Sequence, residues 1–290
     1  MVKKNAYIFR VTMVSCGETI VTRKISLGPN ETRLLFELEK AGRTIFTFND
    51  AVRTLGSSKT AAKLVISRLK AKGRIVAAQK ARYVLAPARS GIEGQWSEHP
   101  FLIVPHIIDE YYVGFWTAMN HWGMTEQIPI TVFVATTKRK RTVKYGGQTI
   151  RFVTLSKRKF FGFTQEKIDG QSFNISTREK TITDGLVFSR HCGGMSEVTK
   201  AIWNSRQTLD WNKLLAMTKQ MAVDAALRRL GYILHLLRIR PEVVRSLAKQ
   251  EWHGLRFLEP TGPKKALSYS KEFGLILNVS DSKLTSWRET

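Results

Sequence analysis

Ala62, Val65, Ile66 and Leu69 recur at spacings of three and four within SSKTAAKLVISRLKAKG, residues 57–73, and this pattern predicts a helix with one apolar stripe. Lys59, Thr60, Lys63, Ser67 and Lys70 fall on another side, which offers donors and small groups and no carboxylate. Upstream, GPNETRLLFELEKAG predicts a helix opened by Pro29 or Asn30, with Glu31 in its first turn. Leu34, Leu35 and Leu38 face inward and Gly42 ends it. RTIFTFNDAVRTLGSS then holds a short strand and a short helix opening at Asn49 or Asp50 and running to Leu55, with Gly56 making the turn. After Gly73, RIVAAQKARYVLAP reads as a β-hairpin with Gln79, Lys80 and Ala81 at its tip. Helix, strand, short helix, tight turn, longer helix and basic hairpin make the order of a winged helix-turn-helix.

The flanking patterns complete an α+β chain of three parts. Residues 1–28 hold two β-branched, aromatic runs, AYIFRVTMV and TIVTRKISL, and read as an N-terminal β-hairpin extension. Residues 29–90 form the winged unit, and the Pro-, Gly- and small-residue-rich stretch 86–95 marks its end. Residues 91–290 read as a larger domain of mixed sheet and helices. It opens with HPFLIVPHIIDEYYVGFWTAMNHWG, in which Ile108, Tyr112, Phe115 and Met119 keep helical spacing up to a stop at Gly123. Strands follow at QIPITVFVAT and around a Gly146–Gly147 turn. FNISTREKTITDGLVF is an extended segment running into a helix, helices dominate from Thr199, and GLILNV is a late strand.

Charge gives this pattern a direction. The chain has 47 Lys+Arg against 23 Asp+Glu, a formal net charge of +24, and a surplus of that size suits a protein that works beside a polyanion. Residues 1–90 carry 18 basic and 5 acidic residues, so the first third holds more than half of the surplus. Two cysteines, Cys16 and Cys192, exclude a disulfide framework and a thiolate metal site. No run reaches the roughly 18 apolar residues of a membrane span, and the N-terminus lacks a signal-type apolar segment, so the expected setting is cytoplasmic.

The polar face of the 57–73 helix then has a use. A major groove about 12 Å wide accommodates one helix. Lys59, Thr60 and Lys63 would meet base edges or the nearest phosphates, and Ser67, Arg68 and Lys70 would meet backbone. Lys80 and Arg82 of the wing would reach phosphate or minor groove. Such units also dock proteins, which is the competing reading. A single-stranded platform fits less well, because few aromatics in this segment are free to stack on bases.

Catalytic constellations are weaker. His106, Asp109 and Glu110 invite a metal site, but adjacent helical side chains diverge by about 100°, and helix-opening carboxylates are the simpler account. His121 suits a contact at a helix C-terminus. RHCGG at 190–194 offers no third group to orient its histidine. No phosphate-binding glycine motif is present, and Asp109, Glu126 and Lys138 are not spaced as a two-metal cluster. A non-enzymatic protein without cofactor or metal is expected. Lys138, Arg139, Lys140 and Arg141 read equally as a solvated loop or as extra phosphate contacts. Lys180 and Asp184, four apart in REKTITD, can pair on a helical face, within a structural network or a partner-binding surface.

In order along the chain, YYVGFWTAMNHWGMTEQ at 111–127, REKTITD with Gly193-Gly194 and Glu197-Val198, ALRRLGYILHLL at 226–237 and GLILNV at 274–279 follow the winged unit. In these segments the sequence resembles the AbiEi-type antitoxins, the repressor–antitoxin component of the AbiE abortive-infection, type IV toxin–antitoxin systems that defend bacteria and archaea against phage. The resemblance spans roughly residues 30 to 280 and departs from the family at the added segment 1–28. It implies that the N-terminal domain binds operator inverted repeats in duplex DNA and represses its own operon. It further implies that the C-terminal domain counters a nucleotidyltransferase-type toxin without a stable complex. Lys59, Thr60, Lys63, Arg68 and Lys70 would act in repression, and Arg178, Lys180, Asp184 and Arg228 would form the antitoxin surface. The protein would bind as a monomer or a DNA-assembled dimer. The alternative is a winged-helix regulator whose C-terminal domain senses a ligand or a protein. A metal-dependent nucleic-acid enzyme is the third reading.

Overall fold

Pro29 cannot donate a backbone hydrogen bond and therefore suits a helix start, and it opens α1 (Pro29–Lys40) in the computed structural model of the chain. The structure describes residues 26–43, 45–77, 82–85, 99–145, 148–168 and 170–288. The predicted hairpin in 1–28, Lys80 at the wing tip, the 86–95 boundary and the Gly146–Gly147 turn lie outside the described residues, except Ser26, Leu27 and Gly28 of the first segment. The chain is α+β and packs as two units, one of residues 1–108 with 143–149, the other of 109–142 with 150–290.

In the first unit, α1 is followed by β1 (Ile45–Thr47), α2 (Phe48–Leu55), α3 (Lys59–Ala71), β2 (Ile75–Ala77) and β3 (Arg82–Leu85). The strands form an antiparallel sheet in the order β1-β3-β2. The apolar stripes predicted for α1 and α3 are the buried ones: Leu34, Leu35 and Leu38 meet Ala62, Val65, Ile66 and Leu69 in one core with Phe46, Leu55 and Ile75. α2 begins one residue earlier than expected, because Thr47 caps it. The Asp50 N–H donates to Thr47 Oγ1 at 3.2 Å, and the Thr47 N–H donates to the Asp50 carboxylate at 2.8 Å. Together these satisfy donors that a helix start leaves open. Glu31 reaches back in the same way, accepting from the Gly28 N–H at 2.8 Å and pairing with Lys72. Residues 100–108 add a 3-10 turn (Pro100–Leu102) and the short α4 (Val104–Ile107).

In the second unit, β4 (Tyr112–Val113), α5 (Phe115–His121), β5 (Thr131–Thr136), β7 (Gln148–Thr154, the unit holding it from Ile150 on), β8 (Phe163–Ile168) and β9 (Gln171–Ser176) bring a sheet together in the order β7-β5-β4-β9-β8. β6 (Val143–Tyr145) belongs to the first unit. The second unit also holds five longer helices: α6 (Arg178–Val187), α7 (Met195–Ser205), α8 (Trp211–Gln220), α9 (Asp224–Leu237) and α10 (Pro241–Ala248). The chain closes with β10 (Arg256–Phe257), β11 (Ser268–Ser270), β12 (Leu275–Leu277) and α11 (Asp281–Thr285), the three strands lying in the order β10-β12-β11. α6 lies at the centre, every residue from Glu179 to Leu186 being buried.

The long helix expected across 108–123 is not formed. Ile108 is extended, Tyr112 and Val113 pair with Ala135 and Val134 of β5, and only Phe115–His121 is helical. Tyr112 and Val113 are fully buried. A strand covered on both faces shows no alternation, so its apolar residues imitate helical spacing. Gly114 breaks the two elements apart: a Cβ there would lie 2.9 Å from the Tyr112 ring. Phe115 enters α5 with φ +58, a left-handed start that a buried phenylalanine holds only under firm packing.

Candidate nucleic-acid interface

Gly56 adopts φ +57, the left-handed conformation a glycine allows, and its N–H closes α2 on the carbonyls of Val52 and Arg53 at 3.0 and 3.2 Å. Ser58 then caps α3, its hydroxyl accepting from the Ala61 N–H at 3.3 Å. The tight turn and the cap fix the direction in which α3 leaves. With Ala62, Val65, Ile66 and Leu69 in the core, Lys59, Thr60, Lys63, Ser67, Arg68 and Lys70 are all exposed.

The charges around this face are sorted. Asp50 is engaged by Arg53 and by Arg43, at 3.5 Å for the latter, and Glu31 by Lys72. Hydrogen bonds from the Thr47 hydroxyl and N–H lower the Asp50 carboxyl to about 2. Among the described residues, Lys59, Lys63, Arg68 and Lys70 make no ion pair. Arg82 is exposed on β3, next to half-buried Tyr83, whose ring lies 5.4 Å from that of Phe46. Two exposed residues of α3 escaped the sequence reading, Ala71 and the larger Leu64, which is 55% accessible.

The second unit corrects the expected antitoxin surface. Lys180, Asp184 and Arg228 are 0%, 0% and 1% exposed, and only Arg178 reaches solvent, half-buried over the Trp122 ring at 4.3 Å. Lys180 and Asp184 form an ion pair inside α6. The Tyr112 hydroxyl donates to Asp184 at 2.9 Å and accepts from the Lys180 ammonium at 3.1 Å. Burial raises the Asp184 carboxyl, against the pull of Lys180 and Tyr112. Arg228 ties three carbonyls, those of Gly254 (2.6 Å), His253 (2.9 Å) and Gly274 (3.0 Å), and pairs with Asp224. These three side chains hold the unit together and present no contact surface.

Lys138, Arg139 and Arg141 are exposed and Lys140 is half-buried. The Leu155 N–H donates to the Thr136 carbonyl at 2.8 Å, so the ends of β5 and β7 are joined where two basic segments start, 138–141 after β5 and Lys157, Arg158 and Lys159 after β7. That junction was hidden by sequence distance. Asp109 and Glu110 open no helix, and Glu110 accepts from the Thr137 hydroxyl. Among the described residues no cluster of three or more His, Cys, Asp or Glu is placed to hold a metal ion. Burial, with Arg190 and Arg151 beside it, lowers His191 to about 4, and burial raises the Cys192 thiol. Burial is also the largest influence on His121, which it lowers.

Glu259 was missed altogether. Its buried carboxylate accepts from the Ser189 hydroxyl at 2.7 Å and from the Met195 N–H, at the start of α7, at 2.6 Å. Arg229 was missed as well; it donates to the carbonyls of Leu186 (2.7 Å) and Phe257. A pair of arginines inside the apolar run ALRRLGYILHLL was the available signal, since charges on such a helix need internal partners.

No protein-family model matches the chain, and no curated protein does. Among solved structures, the chain is similar to the crystal structure of the RV2827C protein from Mycobacterium tuberculosis. The likeness has a TM-score of 0.55 at 13% identity and covers 91% of this chain and 96% of that one. It concerns the fold. Among the described residues, no helix is long and apolar enough to cross a membrane.

Proposed function

We propose that the protein is a duplex-DNA-binding regulator whose residues 29–90 act as a winged helix-turn-helix, with α3 as the groove helix and the β2–β3 hairpin as the wing. The observation that carries this reading is the division of α3: one face is wholly core, and the other is exposed, basic and, among the described residues, without ion-pair partners. A helix that needed only to fold would gain from carboxylates spaced to pair with its lysines, and α3 contains none. Lys59, Thr60, Lys63, Ser67, Arg68, Lys70 and Arg82 supply the contacts, and Lys138–Arg141 with Lys157–Lys159 are available for further phosphates.

With the resemblance of its C-terminal segments, the protein is further proposed to be a cytoplasmic, non-enzymatic antitoxin of the AbiEi type. In that role it represses its own operon and counters a nucleotidyltransferase-type toxin. The burial of Lys180, Asp184 and Arg228 supports a second reading of residues 91–290, as a domain that senses a ligand or another protein, because it leaves only Arg178 of the four residues assigned to the antitoxin role within reach of a partner. Co-expression with a nucleotidyltransferase toxin encoded beside the gene separates the two. Rescue of growth by the full chain supports the antitoxin. Unrelieved toxicity, together with sequence-specific duplex binding, leaves the regulator alone.

A further inference from the structure

Leu64 is a large apolar side chain exposed near the middle of α3, and its position around the helix axis is informative. At about 100° per residue, Ala62, Val65, Ile66 and Leu69 fix the inward direction. Thr60, Leu64, Ser67 and Ala71 then fall within about 30° of the opposite pole, and all four are exposed. Lys63 lies about 70° to one side of that pole and Arg68 about 70° to the other. Lys59 and Lys70 lie still further round on the Lys63 side. The outward ridge of α3 is thus small and methyl-bearing, and the cations flank it.

We infer that the ridge, with Leu64 at its centre, reads the C5-methyl groups of thymine in the major groove, while Lys63 and Arg68 hold phosphates on the two walls. This rests on the duplex-binding reading and assigns its specificity. It changes the expectation that the lysines near the helix start read base edges. A helix seated in the groove turns its pole to the base pairs and its flanks to the two backbones. Among the groups displayed there, the thymine methyl is the apolar one. A branched aliphatic side chain can bury it but can donate no hydrogen bond to guanine or adenine. Thr60 and Ala71 carry methyls on the same ridge. Ser67 adds a hydroxyl, which serves any base and therefore discriminates little.

The test deletes the methyl and nothing else. Duplexes enriched on the full-length protein from a random pool are resynthesised with deoxyuridine in place of single thymidines, which keeps base pairing intact. For the wild type, one or two positions per half-site should lose about fourfold in affinity, the equivalent of burying one methyl. Leu64→Ala, a change an exposed helical position tolerates, should bind the thymidine duplex more weakly by a similar factor and show no further loss with deoxyuridine. Lys63→Ala should stay sensitive to deoxyuridine, with a salt dependence flatter by about 0.9 in log–log slope. Leu64→Gln is a second variant, expected to shift preference toward adenine at the affected position. Undiminished deoxyuridine sensitivity in Leu64→Ala, or none in the wild type, overturns the inference while leaving specific binding intact. A pool that enriches no sequence overturns the duplex-binding reading itself.

Discussion

Lys180 and Asp184 lie one helical turn apart and meet as an ion pair with no solvent contact, joined by the hydroxyl of Tyr112 from the neighbouring strand. Taking two charges out of water is expensive, and each is tolerated because the other is present. Lys180→Met should therefore destabilise the second unit by about 3–5 kcal/mol, since it strands a buried carboxylate. The double change Lys180→Met/Asp184→Leu should recover most of that loss. Urea unfolding of the three proteins, read as coupling between the sites, checks the expectation. Equal losses in the single and double variants would mean that the pair does not act as a unit.

Gly231 and Phe273 give a second, steric prediction. A Cβ at position 231 would stand 2.6 Å from the Phe273 ring, and the ring is itself fully buried. Gly231→Ala should cost about 1–3 kcal/mol through overpacking, despite alanine's better helix propensity. Phe273→Leu placed on that background should regain part of it. A stabilised Gly231→Ala protein would show that α9 and the loop before β12 yield more readily than their contact suggests.

The pH dependence should carry the mark of His191. Burial, reinforced by Arg190 and Arg151, lowers its folded-state value to about 4 from 6.5. The unfolded chain then binds a proton that the folded one refuses, so stability rises with pH across this interval. The contribution is complete above about 6.5 and is lost as pH falls towards 4. Unfolding midpoints of the wild type should decline over that window more steeply than those of His191→Gln. Parallel pH curves for the two proteins would remove the histidine from the account.

How far the sequence disclosed all this depends on whether an element has one buried face or two. α1 and α3 each bury a single stripe, so Leu34, Leu35 and Leu38, like Ala62, Val65, Ile66 and Leu69, were legible from spacing alone. β4 is covered on both faces, and the apolar spacing from Ile108 to Met119 did not separate strand from helix; Gly114 was the one break in it. Lys180 and Asp184 showed their pairing at a spacing of four but not their depth, because the same spacing is common on exposed helices. Glu259 was illegible for another reason: Ser189 and Met195 come to it from 70 and 64 residues away, a proximity that only the tertiary fold creates. For the candidate interface, the cations were visible and the ridge was not. Leu64 belongs to neither the apolar stripe nor the polar set read from spacing, and its exposure shows only once the stripe is packed.

Arg82 offers a test of the interface that does not depend on knowing which bases are read. It stands exposed on β3, off α3; with α3 in the groove as proposed, a cation there would reach backbone phosphate and meet no base edge in the major groove. Arg82→Ala should therefore weaken binding to an enriched duplex and to a random one by the same factor. It should also flatten the salt dependence of both by about 0.9 in log–log slope. Fluorescence anisotropy over a salt series measures both effects in one experiment. Because a phosphate contact and a base contact add independently when they lie on separate elements, Arg82→Ala and Leu64→Ala should combine additively on the enriched duplex. An Arg82→Ala protein that lost preference for the enriched sequence would instead place the hairpin among the base readers, and the division of labour between α3 and the β2–β3 hairpin would have to be redrawn.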